Sequence, residues 1–253
     1  VPPAEGPAEQ SSGVRFDWAA SGAAELARGC AVIVVVDVLS FSTAVETAVA
    51  RGIRVHPFPW GGQAGEYAAR IGAAVAARRA EAGPDRPWSL SPAALRRAPR
   101  VADLVLPSPN GSTICAAATA TGVPVVAGCL RNASAVAAWL RGSGYGTGSR
   151  PVGVVAAGER WPDGSLRPCV EDLLASALIL DGLSGVAGGL SVEAATTLAV
   201  LAGMKDVPAA VRGSVSGREL ARRGYPDDVR IASEVDASRV VPLLGTDAFV
   251  PVY

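Results

Sequence analysis

Short, unbroken apolar runs alternate along this chain with longer stretches in which apolar positions recur every three or four residues. Such runs predict buried strands near 31–37, 53–58, 102–107, 123–127 and 152–156. Helical spacing predicts helices near 42–51, 62–81, 112–121, 133–141, 170–182 and 190–203. Strand and helix in alternation imply an α/β fold, a three-layer α/β/α arrangement around a mostly parallel sheet. Residues 1–13 are polar and Pro-rich and read as a disordered lead-in, leaving 14–253 as the folded domain. The glycine-rich GSGYGTGSRP (142–151) would then join two similar halves, 14–141 and 151–253. The stretch Arg78–Arg100 is polar and Pro-rich and reads as an excursion from the core.

Function is written most densely in AVIVVVDVLSFSTAVETAVA (31–50). An apolar strand ends there on a single acid, Asp37, and the carboxyl ends of parallel strands are where open sheets place their chemistry. Ser42 and Thr43 are better placed than Asp37 to cap the following helix, which frees Asp37 to act as a metal ligand or nucleophile. In LVLPSPNGSTI (104–114) a strand runs into an Asn-Gly turn and a helix start, where exposed backbone N–H groups beside the Ser112 and Thr113 hydroxyls make a candidate anion site, with an ordinary capped turn as the equal alternative. Arg131 and Asn132 occupy a similar strand-to-helix loop, and Arg131 could clamp an anion bidentately. Glu171 and Asp172 open the helix VEDLLASALIL; acids there complement the helix dipole, and together with Asp37 they would equally supply the hard oxygen ligands that Mg²⁺ prefers. Glu159 is a further strand-end acid, while His56, enclosed by Pro57 and Pro59, reads as structural.

Composition removes competing chemistries. The 23 basic and 23 acidic residues balance across 253 positions, so there is no charge footprint for nucleic acid or membrane, and a small-molecule ligand is the better expectation. With His56 the sole histidine and Lys205 the sole lysine, multi-histidine zinc sites and P-loop nucleotide binding are excluded. Cys30, Cys115, Cys129 and Cys169 lie far apart, three of them among apolar or small residues, and read as reduced thiols. No signal peptide is apparent, which gives a cytoplasmic expectation. Homo-oligomerisation is left open.

Five segments, in order, carry a resemblance: VVVDVLSFSTAV, PNGST, AGCLRNASAVA, VAAGE with CVEDLLASA, and SVSGRELARRGYPDDVRIASEVDASRVVPLL. Between about residues 31 and 244 the chain resembles the 2-phosphosulfolactate phosphatase family, Mg²⁺-dependent acid phosphatases of coenzyme M biosynthesis. The resemblance implies a Mg²⁺-dependent phosphatase acting on (2R)-phospho-3-sulfolactate. It implies Asp37, Glu171 and Asp172 as catalytic and metal-binding groups. Substrate binding falls to Asn110, Gly111, Ser112, Arg131, Asn132, Ser214 and Arg218, with Gly217 also in the pattern. Two departures stand out. Ser40-Phe41-Ser42-Thr43 replaces the family's Arg-Ala-Thr-Thr, and ARRAEAG (77–83) replaces Gly-Gly-Glu-Arg, with the Asp that usually follows missing from RPWSLSP. A phosphatase of another small phosphoester and a non-catalytic anion-binding homologue are the alternatives.

Overall fold

A computed structural model describes residues 10–61 and 63–252. Its strands are β1 (Val14–Trp18), β2 (Val32–Val36), β3 (Arg54–Pro59), β4 (Ala74–Val75), β5 (Asp103–Ser108), β6 (Val125–Gly128), β7 (Val152–Ala156), β8 (Glu159–Arg160), β9 (Leu166–Arg167), β10 (Val241–Leu244) and β11 (Phe249–Val252). Its helices are α1 (Ala19–Leu26), α2 (Phe41–Val49), α3 (Ala64–Ile71), α4 (Pro92–Arg97), α5 (Gly111–Thr119), α6 (Ala133–Gly142), α7 (Val170–Leu183), α8 (Val192–Ala199), α9 (Val207–Gly213), α10 (Val215–Arg222) and α11 (Pro226–Ala232). Nine strands form one sheet in the order β1-β7-β2-β6-β10-β11-β3-β5-β4. Pairing is parallel within β1-β7-β2-β6 and within β3-β5-β4, and antiparallel where the β10–β11 hairpin joins the two blocks.

The run in β2 lacks polar alternation because both of its faces are covered. Val32, Val34 and Val36 pack with Leu140 of α6 and Ile179 of α7 on one face. Ile33 and Val35 pack with Val45 of α2 and Ile114 of α5 on the other, giving the expected α/β/α layering. Leu104 and Leu106 of β5 belong to that second core as well, so the sheet curls around α2 and α5. This curl lets the ends of β2, β5 and β7 meet, although the ladder reverses direction between the blocks.

Several expectations need correction. The helix expected over 62–81 stops at Gly72, whose left-handed φ of 68° suits glycine, and the chain goes on into β4 and a 3₁₀ turn at Arg79–Glu81. Strands β10 and β11 escape the pattern because each has four residues and contains a proline, Pro242 facing Pro251 across the ladder. The supposed excursion at 78–100 is part of the core: Leu95 of α4 is fully buried, and Trp88 and Leu90 pack beside it. Residues 10–13, expected to be disordered, are tied to the fold: the Gln10 side chain bonds the backbone of Phe16 and the Gly13 amide donates to the Gly188 carbonyl at 2.9 Å, while residues 1–9 lie outside the described residues. The two halves do not separate either, because β7, β10 and β11 are inserted among strands of the first segment. All four cysteines are free and buried. Among the described residues no single helix is long and apolar enough to cross a membrane.

Candidate active site

At the meeting of the β2, β5 and β7 ends lies a pocket of about 120 Å³, lined by Asp37, Glu159, Glu171 and Asp172, with Asn110 and Arg79 at its sides. Asp172 ties the walls together. Its Oδ1 accepts the Val38 amide at 2.8 Å and its Oδ2 the Gly158 amide at 2.9 Å, so the first turn of α7 fixes the loops after both β2 and β7. Asp37 Oδ1 accepts the Phe41 amide at 3.0 Å. The capping expectation is thereby reversed: Asp37 satisfies the first amide of α2, while Ser42 and Thr43 donate their hydroxyls back to the Val35 and Val38 carbonyls. The second oxygen of Asp37 takes no hydrogen bond from the described residues. Glu171 is 2% exposed, and its Oε2 is buried with no hydrogen-bond partner among the described residues. Burying a carboxylate oxygen unpaired is costly, and in a pocket lined by three other carboxylates it leaves an oxygen open to a cation.

Acids held this close disturb one another. The Asp37 carboxyl is pushed up to about 6, first by burial, against the pull of the Phe41 amide, then by Glu159, with Arg79 opposing and Glu171 adding. Burial, followed by the charges of Asp37 and Glu171, raises Asp172 well above the usual carboxylate range. Cys169 also faces the pocket, but burial and the neighbouring Asp172 and Glu171 push its thiol up to about 12, so it stays protonated and is no nucleophile.

Asn110 lines the pocket, its amide donating to Glu159 Oε1 at 3.0 Å across the rim. Other sequence candidates serve the scaffold. Gly111 gives its amide to Ser108 Oγ, and a Cβ at this position would overlap the Phe41 ring, so glycine is needed for close approach of α5 to α2. The buried Ser112 hydroxyl turns inward to the Leu106 carbonyl. Arg131 is no anion clamp: it is buried in ion pairs with Glu46, at 2.7 Å, and Glu234. Asn132 bonds the backbone of Ala127, Cys129 and Val240. Ser214 caps α10 by accepting the Gly217 amide at 3.0 Å, and the exposed Arg218 donates to the Gly213 carbonyl. His56 pairs with Asp103 at 2.8 Å, apart from the pocket lining.

Sequence reasoning missed Arg79, Ser40 and Ser108, all of which line the pocket. Arg79 comes from the departing segment 77–83 and donates to Ser40, itself one of the departures. Arg79 lies in a 3₁₀ turn between β4 and α4, in polar sequence that carries no strand-end or helix-start signal.

The donor chemistry fits a hard cation. Among the described residues no group of three His, Cys, Asp or Glu side chains is placed to hold a metal ion together. Mg²⁺ is commonly held without one, through one or two carboxylates completed by water and substrate phosphate. Asp37 and Glu171 each keep an oxygen clear of other described partners, whereas both Asp172 oxygens accept backbone amides. Comparison with known proteins returns a match of residues 21–247 to the sequence model described as 2-phosphosulpholactate phosphatase. No curated protein matches the chain.

Proposed function

The chain belongs to the 2-phosphosulpholactate phosphatase family, and on that premise we propose that it hydrolyses (2R)-phospho-3-sulfolactate, with water, to (2R)-3-sulfolactate and inorganic phosphate in a Mg²⁺-dependent reaction. The observation that carries this reading is the unpartnered Glu171 Oε2, buried in the same small pocket as the Asp37 carboxylate. These two residues would hold Mg²⁺. Bound there, the ion would neutralise phosphate charge that this acidic pocket would otherwise repel. Asp172 keeps the two loops, and hence Asp37, in register. Asn110, anchored on Glu159, borders the place where the phosphoryl group enters. Burial of these groups strengthens every interaction with a developing charge, because little water competes.

The test is phosphate release from a panel of small phosphoesters, with Mg²⁺ and then with excess chelator. Release from the sulfonated ester in Mg²⁺, its loss in chelator and its recovery on adding the ion are expected. Full turnover in chelator would remove the metal, and no release from any ester would remove the enzyme.

A further inference from the structure

Arg79 is the only basic residue among the described residues that line the carboxylate pocket. Its side chain is fixed at Nε and Nη2. Nε donates to Asp228 Oδ2 at 3.2 Å, Nη2 donates to the Leu90 carbonyl at 3.0 Å and to Ser40 Oγ, and the Tyr225 ring lies 5.6 Å from the guanidinium carbon. Nη1 donates to no described residue. Asp228, on α11, is 1% exposed. Its Oδ1 accepts the Ser91 hydroxyl at 2.6 Å and the Ala93 amide at 3.0 Å, so the same carboxylate locks the start of α4. Two helices that contribute nothing to the pocket lining thus set the direction of the one guanidinium inside it.

We infer that Asp228 is a positioning residue, aiming the Arg79 guanidinium across the pocket so that Nη1 binds the oxygens of the substrate's phosphate. The identity of the anion rests on the phosphatase reading. A planar guanidinium held at Nε and on one face loses little freedom on meeting an anion, and its fork matches phosphate oxygens. In a pocket of four carboxylates it is also the protein's own counter-charge. A merely structural Asp228–Arg79 pair would leave phosphate affinity alone.

Calorimetric titration with inorganic phosphate, in Mg²⁺, decides between them for the unmodified protein, Arg79→Gln, Asp228→Asn and the double variant. Asn at position 228 keeps an acceptor for Ser91 and Ala93 while removing the one that faces Arg79. Each single change should weaken phosphate about tenfold, the scale of a charge-assisted hydrogen bond. The double should be no weaker than Arg79→Gln alone, because the two act through one group. Unchanged affinity in either single variant, summed losses in the double, or no phosphate binding by the unmodified protein would each overturn the inference. If Asp228→Asn does not fold, Asp228→Glu takes its place with the same expectation, and unchanged affinity there counts equally against it. Ester turnover on the same preparations separates the two readings. Phosphate binding without hydrolysis defeats the phosphatase and spares Arg79, whereas hydrolysis with Arg79→Gln affinity unchanged does the opposite.

Discussion

Asp37 is held at the end of β2 with its carboxyl raised from an ordinary 3.8 to about 6, chiefly by burial. Below about pH 4 it is protonated in both folded and unfolded chains. Between there and about 6 the folded protein retains a proton that the unfolded chain releases, so stability falls as pH rises through that window. Asp37→Asn keeps the oxygen that accepts the Phe41 amide and cannot ionise. In chelator, its melting temperature should exceed that of the unmodified protein at pH 8 and match it at pH 4, while turnover in Mg²⁺ falls by a factor on the order of 10³. Equal melting temperatures at pH 8 would show that the charge is not strained. Arg131 provides the opposite case, with its side chain 8% exposed against a Glu46 side chain at 0%. Arg131→Ala should cost about 3–5 kcal/mol in urea unfolding by stranding a buried acid. KM of the protein that remains folded should be unchanged; a raised KM with normal stability would return Arg131 to the substrate.

Among the elements, the strand runs and the helices after them were readable because continuous burial leaves an unbroken apolar signature. What stayed hidden was short or proline-bearing, such as β10 and β11, or interrupted by polar residues, such as β1 with its Arg15 and Asp17 and the turn that presents Arg79. Asp37, Glu171 and Asp172 were legible as strand-end and helix-start acids, and all three reach one pocket. Arg131, Asn132, Ser214 and Arg218 share a motif pattern with them, yet their partners are scaffold groups far away in sequence or backbone within their own turns. A pattern reports that a polar residue is required and does not distinguish a ligand from a buried brace. The α2–α5 contact tests the scaffold half of PNGST. Gly111→Ala should cost about 1–3 kcal/mol through overpacking against Phe41, and activity should fall as the Asn110 loop shifts. Unchanged stability would mean that the two helices part without penalty.

Taken whole, the molecule brings three strand ends together by curling one sheet around a shared core, and Asp172 and Asp228, from two helices late in the chain, brace different walls of the resulting pocket. The hairpin that closes the curl comes last in sequence, which is why no local pattern announced the joining of the two blocks. The central claim is that the pocket's unpartnered carboxylate is a Mg²⁺ ligand of a phosphatase, and a Mg²⁺ titration of phosphate release by the unmodified protein and Glu171→Gln tests it most directly. Half-saturation by Mg²⁺ should move upward by at least about tenfold in Glu171→Gln, since losing a ligand costs no less than losing an outer-shell partner. A folded Glu171→Gln protein with the same Mg²⁺ requirement and the same turnover would contradict it.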